Sequence, residues 1–188
     1  MYFDLKNRIY VVTGASGGIG SALVNLLNKE GAELFLIDTD QTSLDQLKKE
    51  QATHQNQNYF INSNLKDFKE ITDNLQKPIS GIIHLAGQLE SDNVTSNKKP
   101  IWERAIQNNL TNAYDIIENL IPFFDKNIIG KIILTSSLAY RRGGFDFIPY
   151  TASKGGITGL VRAYSRKLAP EILVNGLAPG IIDTKMPK

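Results

Sequence analysis

A serine, a tyrosine and a lysine are the side chains of this chain best suited to chemistry. They are Ser137, Tyr150 and Lys154, the last two at the ends of the run Tyr150-Thr151-Ala152-Ser153-Lys154. If that run is helical, Tyr150 and Lys154 share one helix face. A phenol titrates near pH ~10, so it needs a nearby ammonium to exchange protons at neutral pH, and Ser137 could hydrogen-bond the same substrate oxygen. Taken alone, the spacing also fits a surface tyrosine above a solvated lysine.

The composition is that of a globular protein without a strong charge bias. The 188 residues, 41% hydrophobic and 21% charged, predict one domain over 1–188. The net charge of +2 gives no reason to expect nucleic acid or a membrane as a partner. The absence of cysteine excludes thiolate chemistry, and His54 and His84 lie far apart, so no metal site is expected. Without a signal peptide or an apolar run of ~18–20 residues, a cytoplasmic protein is expected.

Short apolar runs of strand length alternate with helical patterns along the chain. The runs are Ile9–Val12, Leu34–Ile37, Tyr59–Ile61, Ile82–Leu85, Ile132–Leu134 and Ile172–Val174. The clearest helical stripe runs from Trp102 to Phe124 in steps of three and four, and a second runs from Ile157 to Leu168. This alternation predicts an α/β fold of three layers, a Rossmann-type doubly wound parallel sheet with helices on both faces.

Glycines follow the first apolar run. The segment is Thr13-Gly14-Ala15-Ser16-Gly17-Gly18-Ile19-Gly20, and an amphipathic helical pattern comes next. Glycines between a strand and a helix permit a tight turn and a close approach of the backbone to a pyrophosphate. The helix N-terminus offers unpaired N–H groups to the phosphates. The segment therefore predicts a dinucleotide site.

An acid ends the second run at the expected distance from these glycines. Asp38 lies eighteen residues beyond Gly20, close to the ~20-residue interval of an acid that binds the adenosine ribose. Its carboxylate would accept hydrogen bonds from ribose hydroxyls and repel a 2′-phosphate, and neither Gly17 nor Thr39 offers an arginine for that phosphate. NAD(H) is therefore favoured over NADP(H), although Asp38 also fits a solvated acid at a strand end.

Taken together, these motifs resemble the short-chain dehydrogenase/reductase family from about Asn7 onward. Within it, the stretch from Tyr150 to Met186 is most similar to 3-oxoacyl-carrier-protein reductases and related alcohol dehydrogenases. The thirteen-residue interval to Tyr150 selects Ser137 over Ser136, and Asn109 matches the helical asparagine better than Asn108. The catalytic residues implied are Asn109, Ser137, Tyr150 and Lys154. The cofactor-binding residues implied are Gly14, Ser16, Gly17, Gly18, Ile19, Gly20, Asp38, Asn64, Leu65, Ala86, Gly87, Tyr150, Lys154, Pro179, Gly180, Ile182 and Thr184.

The resemblance also implies a mechanism. Hydride passes between the nicotinamide and a carbonyl carbon, while Tyr150 moves a proton to or from the oxygen. Lys154 lowers the pKa of Tyr150 and binds the nicotinamide ribose, Ser137 polarises the carbonyl, and Asn109 holds a water that links Lys154 to solvent. The substrate is a small carbonyl or alcohol compound, for which an acyl-carrier-linked form stays open, and a homodimer or homotetramer is expected.

Three departures from the family pattern keep alternatives open. His84-Leu85-Ala86-Gly87 stands where Asn-Asn-Ala-Gly is usual, and it also resembles sugar-nucleotide epimerases and dehydratases. Asn64 stands where an Asp is common. The pattern stops eight residues after Gly180, so the family's C-terminal lid, helix and last strand are expected to be missing. A non-catalytic dinucleotide-binding module or an inactive fragment is the alternative.

Arg141 and Arg142, in the segment before Tyr150, could steer an acidic substrate or belong to a solvated loop.

Overall fold

A computed structural model describes residues 5–53 and 56–184, and within them one parallel sheet forms the centre of the molecule. Its six strands are arranged in the order β3-β2-β1-β4-β5-β6 and every neighbouring pair is parallel. The strands are β1 (Ile9–Thr13), β2 (Glu33–Asp38), β3 (Asn58–Asn62), β4 (Gly81–His84), β5 (Gly130–Thr135) and β6 (Ile172–Leu177). The predicted α/β doubly wound fold is confirmed.

Helices cover both faces of the sheet. They are α1 (Gly18–Lys29), α2 (Gln41–Gln51), α3 (Lys69–Asn74), α4 (Lys99–Ala105), α5 (Asn112–Leu120), α6 (Ala139–Arg142) and α7 (Ile148–Leu168), with a π-helix at Ile106–Thr111 and a 3-10 turn at Ile121–Phe123. Alternate residues of each strand face opposite layers. Val11 and Ile82 pack in one core with α5 and α7, and Val12 and Ile83 pack in the other with α1. No helix in the described ranges is long and apolar enough to cross a membrane.

The strand order creates a crevice at the carboxyl ends of the strands. The chain passes from β1 to β2 on one side and later returns to β4 on the other, so the order reverses between β1 and β4. In open parallel sheets, ligands bind at such a reversal, outside the carboxyl ends of the strands. The loops after β1, β4 and β5 all leave the sheet at the carboxyl ends of the strands, and they contain six of the residues selected from the sequence, namely Gly14, Ser16, Gly17, Ala86, Gly87 and Ser137.

The helical stripe from Trp102 to Phe124 is not one regular helix. A π-helical turn interrupts it, and Asn109 lies in that turn. The Asn109 side-chain amide donates to the Ala105 carbonyl oxygen at 3.0 Å, an oxygen that the Asn109 backbone N–H would pair with in an α-helix. A π turn changes the phase of the faces before and after it. Trp102, the first residue of the stripe, is 45% exposed. Ile116, which the steps of three and four pass over, is fully buried.

Candidate functional site

A crevice of about 370 Å³ lies at the carboxyl ends of β1, β2 and β4. It brings together seven of the residues chosen for cofactor binding, namely Gly14, Gly17, Asp38, Asn64, Leu65, Ala86 and Gly87. Its lining is Thr13, Gly14, Gly17, Ile37, Asp38, Thr39, Ser63, Asn64, Leu65, Leu85, Ala86, Gly87, Gln88, Asn108 and Asn112. Residues from four separate loops therefore share one cleft, as a dinucleotide site requires.

The glycine turn between β1 and α1 fits closely against the end of β4. Gly14 has φ +66°, and a Cβ there would lie 2.8 Å from the Ala86 backbone nitrogen. A Cβ on Gly20 would overlap the Gly14 carbonyl oxygen. The turn therefore has no room for a side chain at Gly14 or Gly20, and it is followed by α1, whose first N–H groups have no partner within the helix. These residues fit the pyrophosphate of a dinucleotide.

The segment after β6 returns to this turn. The Pro179 carbonyl accepts from the Leu138 backbone N–H at 2.9 Å, which holds the segment beside the loop after β5. Thr184 then reaches Gly18, where an added Cβ would lie 2.7 Å from the Thr184 Cβ. Gly180 lies against Leu138, while Ile182 is half exposed. Pro179, Gly180, Ile182 and Thr184 therefore belong to a segment that spans from β6 to the glycine turn.

Asn64 and Leu65 form the wall of the crevice beyond β3. Leu65 is buried and has φ +60°, an unfavourable left-handed conformation for a leucine. Its backbone N–H donates to the Ser63 hydroxyl at 3.1 Å, and the Asn112 side chain donates to the Asn64 carbonyl at 3.4 Å. Non-glycine residues in this conformation cluster where a structure positions a ligand.

Tyr150 and Lys154 lie on the same face of α7, in its first two turns. The Lys154 ammonium is 5.6 Å from the centre of the Tyr150 ring, and it donates a hydrogen bond to the Thr135 carbonyl at the end of β5, at 2.9 Å. The side chain is almost fully buried, with 4% of the residue exposed. The sequence therefore placed these two groups together correctly.

The pKa of Tyr150 differs from the expectation. Burial raises the pKa of the phenol above its usual value, and a hydrogen bond with Ser137 lowers it only in part. Lys154 was expected to lower the Tyr150 pKa; in the present arrangement its ammonium faces the ring and the Thr135 carbonyl, and the pKa of Tyr150 is raised by burial. Burial also lowers the pKa of Lys154 to about 8, because a buried ammonium loses its hydration.

The two serines after β5 have different roles in the structure. Ser136 is buried, and its hydroxyl donates to the Lys154 carbonyl at 2.7 Å, so it fastens β5 to α7. The Ser137 hydroxyl interacts with the Tyr150 phenol and accepts the Ala139 backbone N–H at 3.2 Å. Ser137, not Ser136, is the serine next to Tyr150.

Asn109 is fixed by three hydrogen bonds. Its side chain donates to Ala105 O and to Gln88 O, both at 3.0 Å, and its Oδ1 accepts the Gln88 N–H at 2.8 Å. A Cβ added to Gly87 would lie 2.7 Å from Asn109 Oδ1 and 3.0 Å from Lys154 Nζ, so Gly87 leaves these two groups close together. Asn108 points elsewhere and donates to Gln88 Oε1.

His84 and Thr13 form a contact that the sequence analysis did not find. The Thr13 hydroxyl lies 2.8 Å from His84 Nδ1 and also accepts the Ala86 backbone N–H at 3.2 Å. The family's usual asparagines are absent here, and this pair connects β1 to the end of β4. Burial and the charge of Lys154 lower the pKa of His84 to about 3, so the ring is neutral at pH 7. The sequence did contain a signal for this contact, because Thr13 and His84 are polar residues at the ends of two apolar runs.

Arg141 and Arg142 end the short helix α6, and both are exposed. Phe145, in the loop between α6 and α7, is 96% exposed. His54 and Met186 lie outside the described residues. Across the part of the chain that is described, no group of three acidic or histidine side chains could hold a metal ion.

Comparison with known proteins gives consistent relatives. A sequence profile for short chain dehydrogenases matches residues 8–188. The 3-oxoacyl-(acyl-carrier-protein) reductase FabG of Thermotoga maritima is 29% identical over 189 residues, which cover 97% of this chain and 77% of the relative. Acetoacetyl-CoA reductase of Synechocystis is 30% identical over 97% of this chain and 75% of its own length. A crystal structure from Brucella melitensis, described as a short-chain glucose/ribitol dehydrogenase, has a TM-score of 0.90 at 30% identity, covering 99% of this chain and 77% of its own.

Proposed function

The chain belongs to the short-chain dehydrogenase/reductase family of nicotinamide-dependent oxidoreductases, and we propose that it interconverts a ketone and a secondary alcohol with Tyr150 as the acid and base. The observation that supports this proposal is the grouping of Ser137, Tyr150 and Lys154, in which Lys154 lies against a residue of the crevice lining. Lys154 and Asn109 both lie against Gly87, which lines the crevice. Lys154 therefore connects the proposed proton donor, Tyr150, to the crevice.

Tyr150 and Ser137 have different roles in the proposed reaction. The bound nicotinamide supplies or accepts the hydride. Tyr150 gives its proton to the carbonyl oxygen during reduction and takes one during oxidation. Ser137 interacts with the Tyr150 phenol, so an oxygen bound between the two hydroxyls would receive hydrogen bonds from both. This positions the oxygen and stabilises the negative charge that develops on it.

Lys154 would assist Tyr150 through its charge. At pH 7 most of its amine is protonated, since the pKa of about 8 still lies above that pH. An ammonium 5.6 Å from the ring favours the phenolate that forms when Tyr150 donates its proton. Asn109, held by Gln88 and Ala105, keeps the π turn in place beside the ammonium.

The cofactor proposed is NAD(H) in preference to NADP(H). Asp38 lines the crevice at the end of β2, where a carboxylate accepts hydrogen bonds from ribose hydroxyls and repels a 2′-phosphate. Thr39 and Gly17, the neighbouring lining residues, carry no positive charge. The relatives named for 3-oxoacyl and acetoacetyl substrates support an acyl thioester ketone as substrate, and the exposed Arg141 and Arg142 favour an acidic carrier.

The test is Tyr150→Phe, measured with NADH and a panel of ketones that includes acyl thioesters. Turnover should fall by ~10²–10⁴ because the proton donor is lost, while NADH affinity should change little. Tyr114→Phe is the matched control, since Tyr114 is an exposed tyrosine on α5, away from the crevice. Near-normal turnover by Tyr150→Phe would refute the assignment. A wild-type protein that binds NADH but reduces none of the ketones would favour the non-catalytic dinucleotide-binding module.

A further inference from the structure

The Asp38 carboxylate already accepts four hydrogen bonds within the protein. Oδ2 accepts from the Ser16 backbone N–H at 2.9 Å and from the Ser16 hydroxyl at 2.7 Å. Oδ1 accepts from the Thr39 N–H at 2.8 Å and from the Asp40 N–H at 3.4 Å. An ionised carboxylate has about four acceptor positions. A ligand hydroxyl can therefore reach Asp38 only by displacing one of these donors.

The four donors differ in how easily they can be displaced. The N–H groups of Ser16 and Thr39 are fixed by the backbone of the glycine turn and of the end of β2. The Asp40 N–H is at the long limit of a hydrogen bond, so losing it costs little. The Ser16 hydroxyl makes the shortest contact, but it moves away by rotation about a single side-chain bond. A vicinal diol placing one hydroxyl on each carboxylate oxygen would displace the Asp40 N–H and the Ser16 hydroxyl.

We propose that the Ser16 hydroxyl competes with the ribose diol for Asp38 and so limits the affinity of this chain for NAD(H). This inference rests on the proposed function, since it assumes that the crevice binds a nicotinamide dinucleotide. Ser16 thus acts against the preference that Asp38 creates. A 2′-phosphate has only acceptor oxygens toward the carboxylate and leaves the 3′-hydroxyl as the one ribose donor, so NADP(H) gains little when the Ser16 hydroxyl is removed.

The opposite role for Ser16 is a structural one. The hydroxyl connects the glycine turn to the end of β2, and it could hold the turn in the shape that receives the pyrophosphate. In that case its removal would loosen the turn and weaken the binding of both cofactors. The two roles predict changes of opposite sign, so a binding measurement distinguishes them.

The experiment is a fluorescence titration of the full chain with NADH and with NADPH. Ser16→Ala should bind NADH about 3- to 10-fold more tightly, a fraction of what a hydrogen bond to a charged group is worth, because the freed hydroxyl recovers part of it in water. NADPH affinity should stay within about twofold. Ser21→Ala is the matched control, since that hydroxyl lies on α1 and donates to the Gly18 carbonyl at 3.4 Å, not to Asp38.

A second pair of variants tests whether the effect passes through Asp38. With Asp38→Ala as background, adding Ser16→Ala should leave NADH affinity unchanged, since the carboxylate that both partners need is gone. Unchanged or weaker NADH binding by Ser16→Ala alone would overturn the inference and leave the proposed function standing. A wild-type protein that binds neither NADH nor NADPH would overturn the proposed function and this inference with it.

Discussion

Replacing Gly87 by alanine tests whether the cluster of Asn109 and Lys154 is as tight as the structure places it. The new Cβ would lie 2.7 Å from Asn109 Oδ1 and 3.0 Å from Lys154 Nζ. Comfortable contacts of a carbon atom are ~3.5–4.0 Å, so these groups must move apart by roughly 0.5–1 Å. The φ of Gly87 is not in the left-handed region, so the cost arises from contact and not from backbone strain.

The surroundings of Gly87 resist this movement. Asn109 Oδ1 holds the Gln88 N–H at 2.8 Å, and Lys154 Nζ holds the Thr135 carbonyl at 2.9 Å. Overpacking of this kind costs ~1–3 kcal/mol of unfolding free energy. A catalytic group displaced by ~1 Å loses up to ~10²-fold in rate. Gly87→Ala should therefore lower kcat by one to two powers of ten and destabilise the protein by ~1–3 kcal/mol.

Urea unfolding and steady-state kinetics with NADH measure the two effects. Gly159→Ala is the control. Gly159 lies on the same helix as Lys154, and a Cβ added there would have no neighbouring atom within 4 Å. That variant should keep its activity and gain up to ~1 kcal/mol from helix propensity. Wild-type activity in Gly87→Ala would refute the reasoning, since the cluster would then be either loose or remote from the reaction.

Two further predictions concern pH. The pKa of His84 is about 3, below the ~6.5 of an unfolded chain, so the unfolded state binds more protons between these values, and stability should fall by up to ~1.4 kcal/mol per unit as the pH drops through this window. His84→Asn should remove that part of the slope in urea unfolding, and an identical slope in both proteins would contradict this. For Lys154, with a pKa of about 8 against ~10.4 unfolded, stability should rise from pH 8 to ~10.4 and activity should decline above pH 8. Lys154→Met should lose the rise in stability, and a rise that persists would exclude Lys154 as its source.

Much of the fold follows from local patterns in the sequence. Continuous apolar runs without polar alternation indicate strands covered on both faces, and five of the six runs lie wholly within strands. The run Ile82–Leu85 extends one residue too far, because β4 ends at His84 and Leu85 lines the crevice. The glycine turn was predictable for a similar reason, since its residues are adjacent in sequence. Tyr150 and Lys154 were predictable as neighbours because helical geometry places residues four apart on one face.

The phase of the helical segment before β5 could not be predicted. A periodic stripe assumes 3.6 residues per turn throughout, and the π turn at Ile106–Thr111 breaks that assumption. The turn is associated with the Asn109 side chain, whose partners on Gln88 lie 21 residues away in sequence. A contact over that distance does not appear in a local periodicity.

The amino-acid sequence alone determined the strands, the glycine turn and the pairing of Tyr150 with Lys154, because each depends on residues within a few positions of one another. Tertiary structure decided the rest. Thr13 and His84 are 71 residues apart and meet only because β1 and β4 pair in parallel register. The raised pKa of Tyr150 and the lowered pKa of Lys154 likewise follow from burial. Burial and long-range contacts are properties of the packed chain, and a pattern of residue types does not specify them.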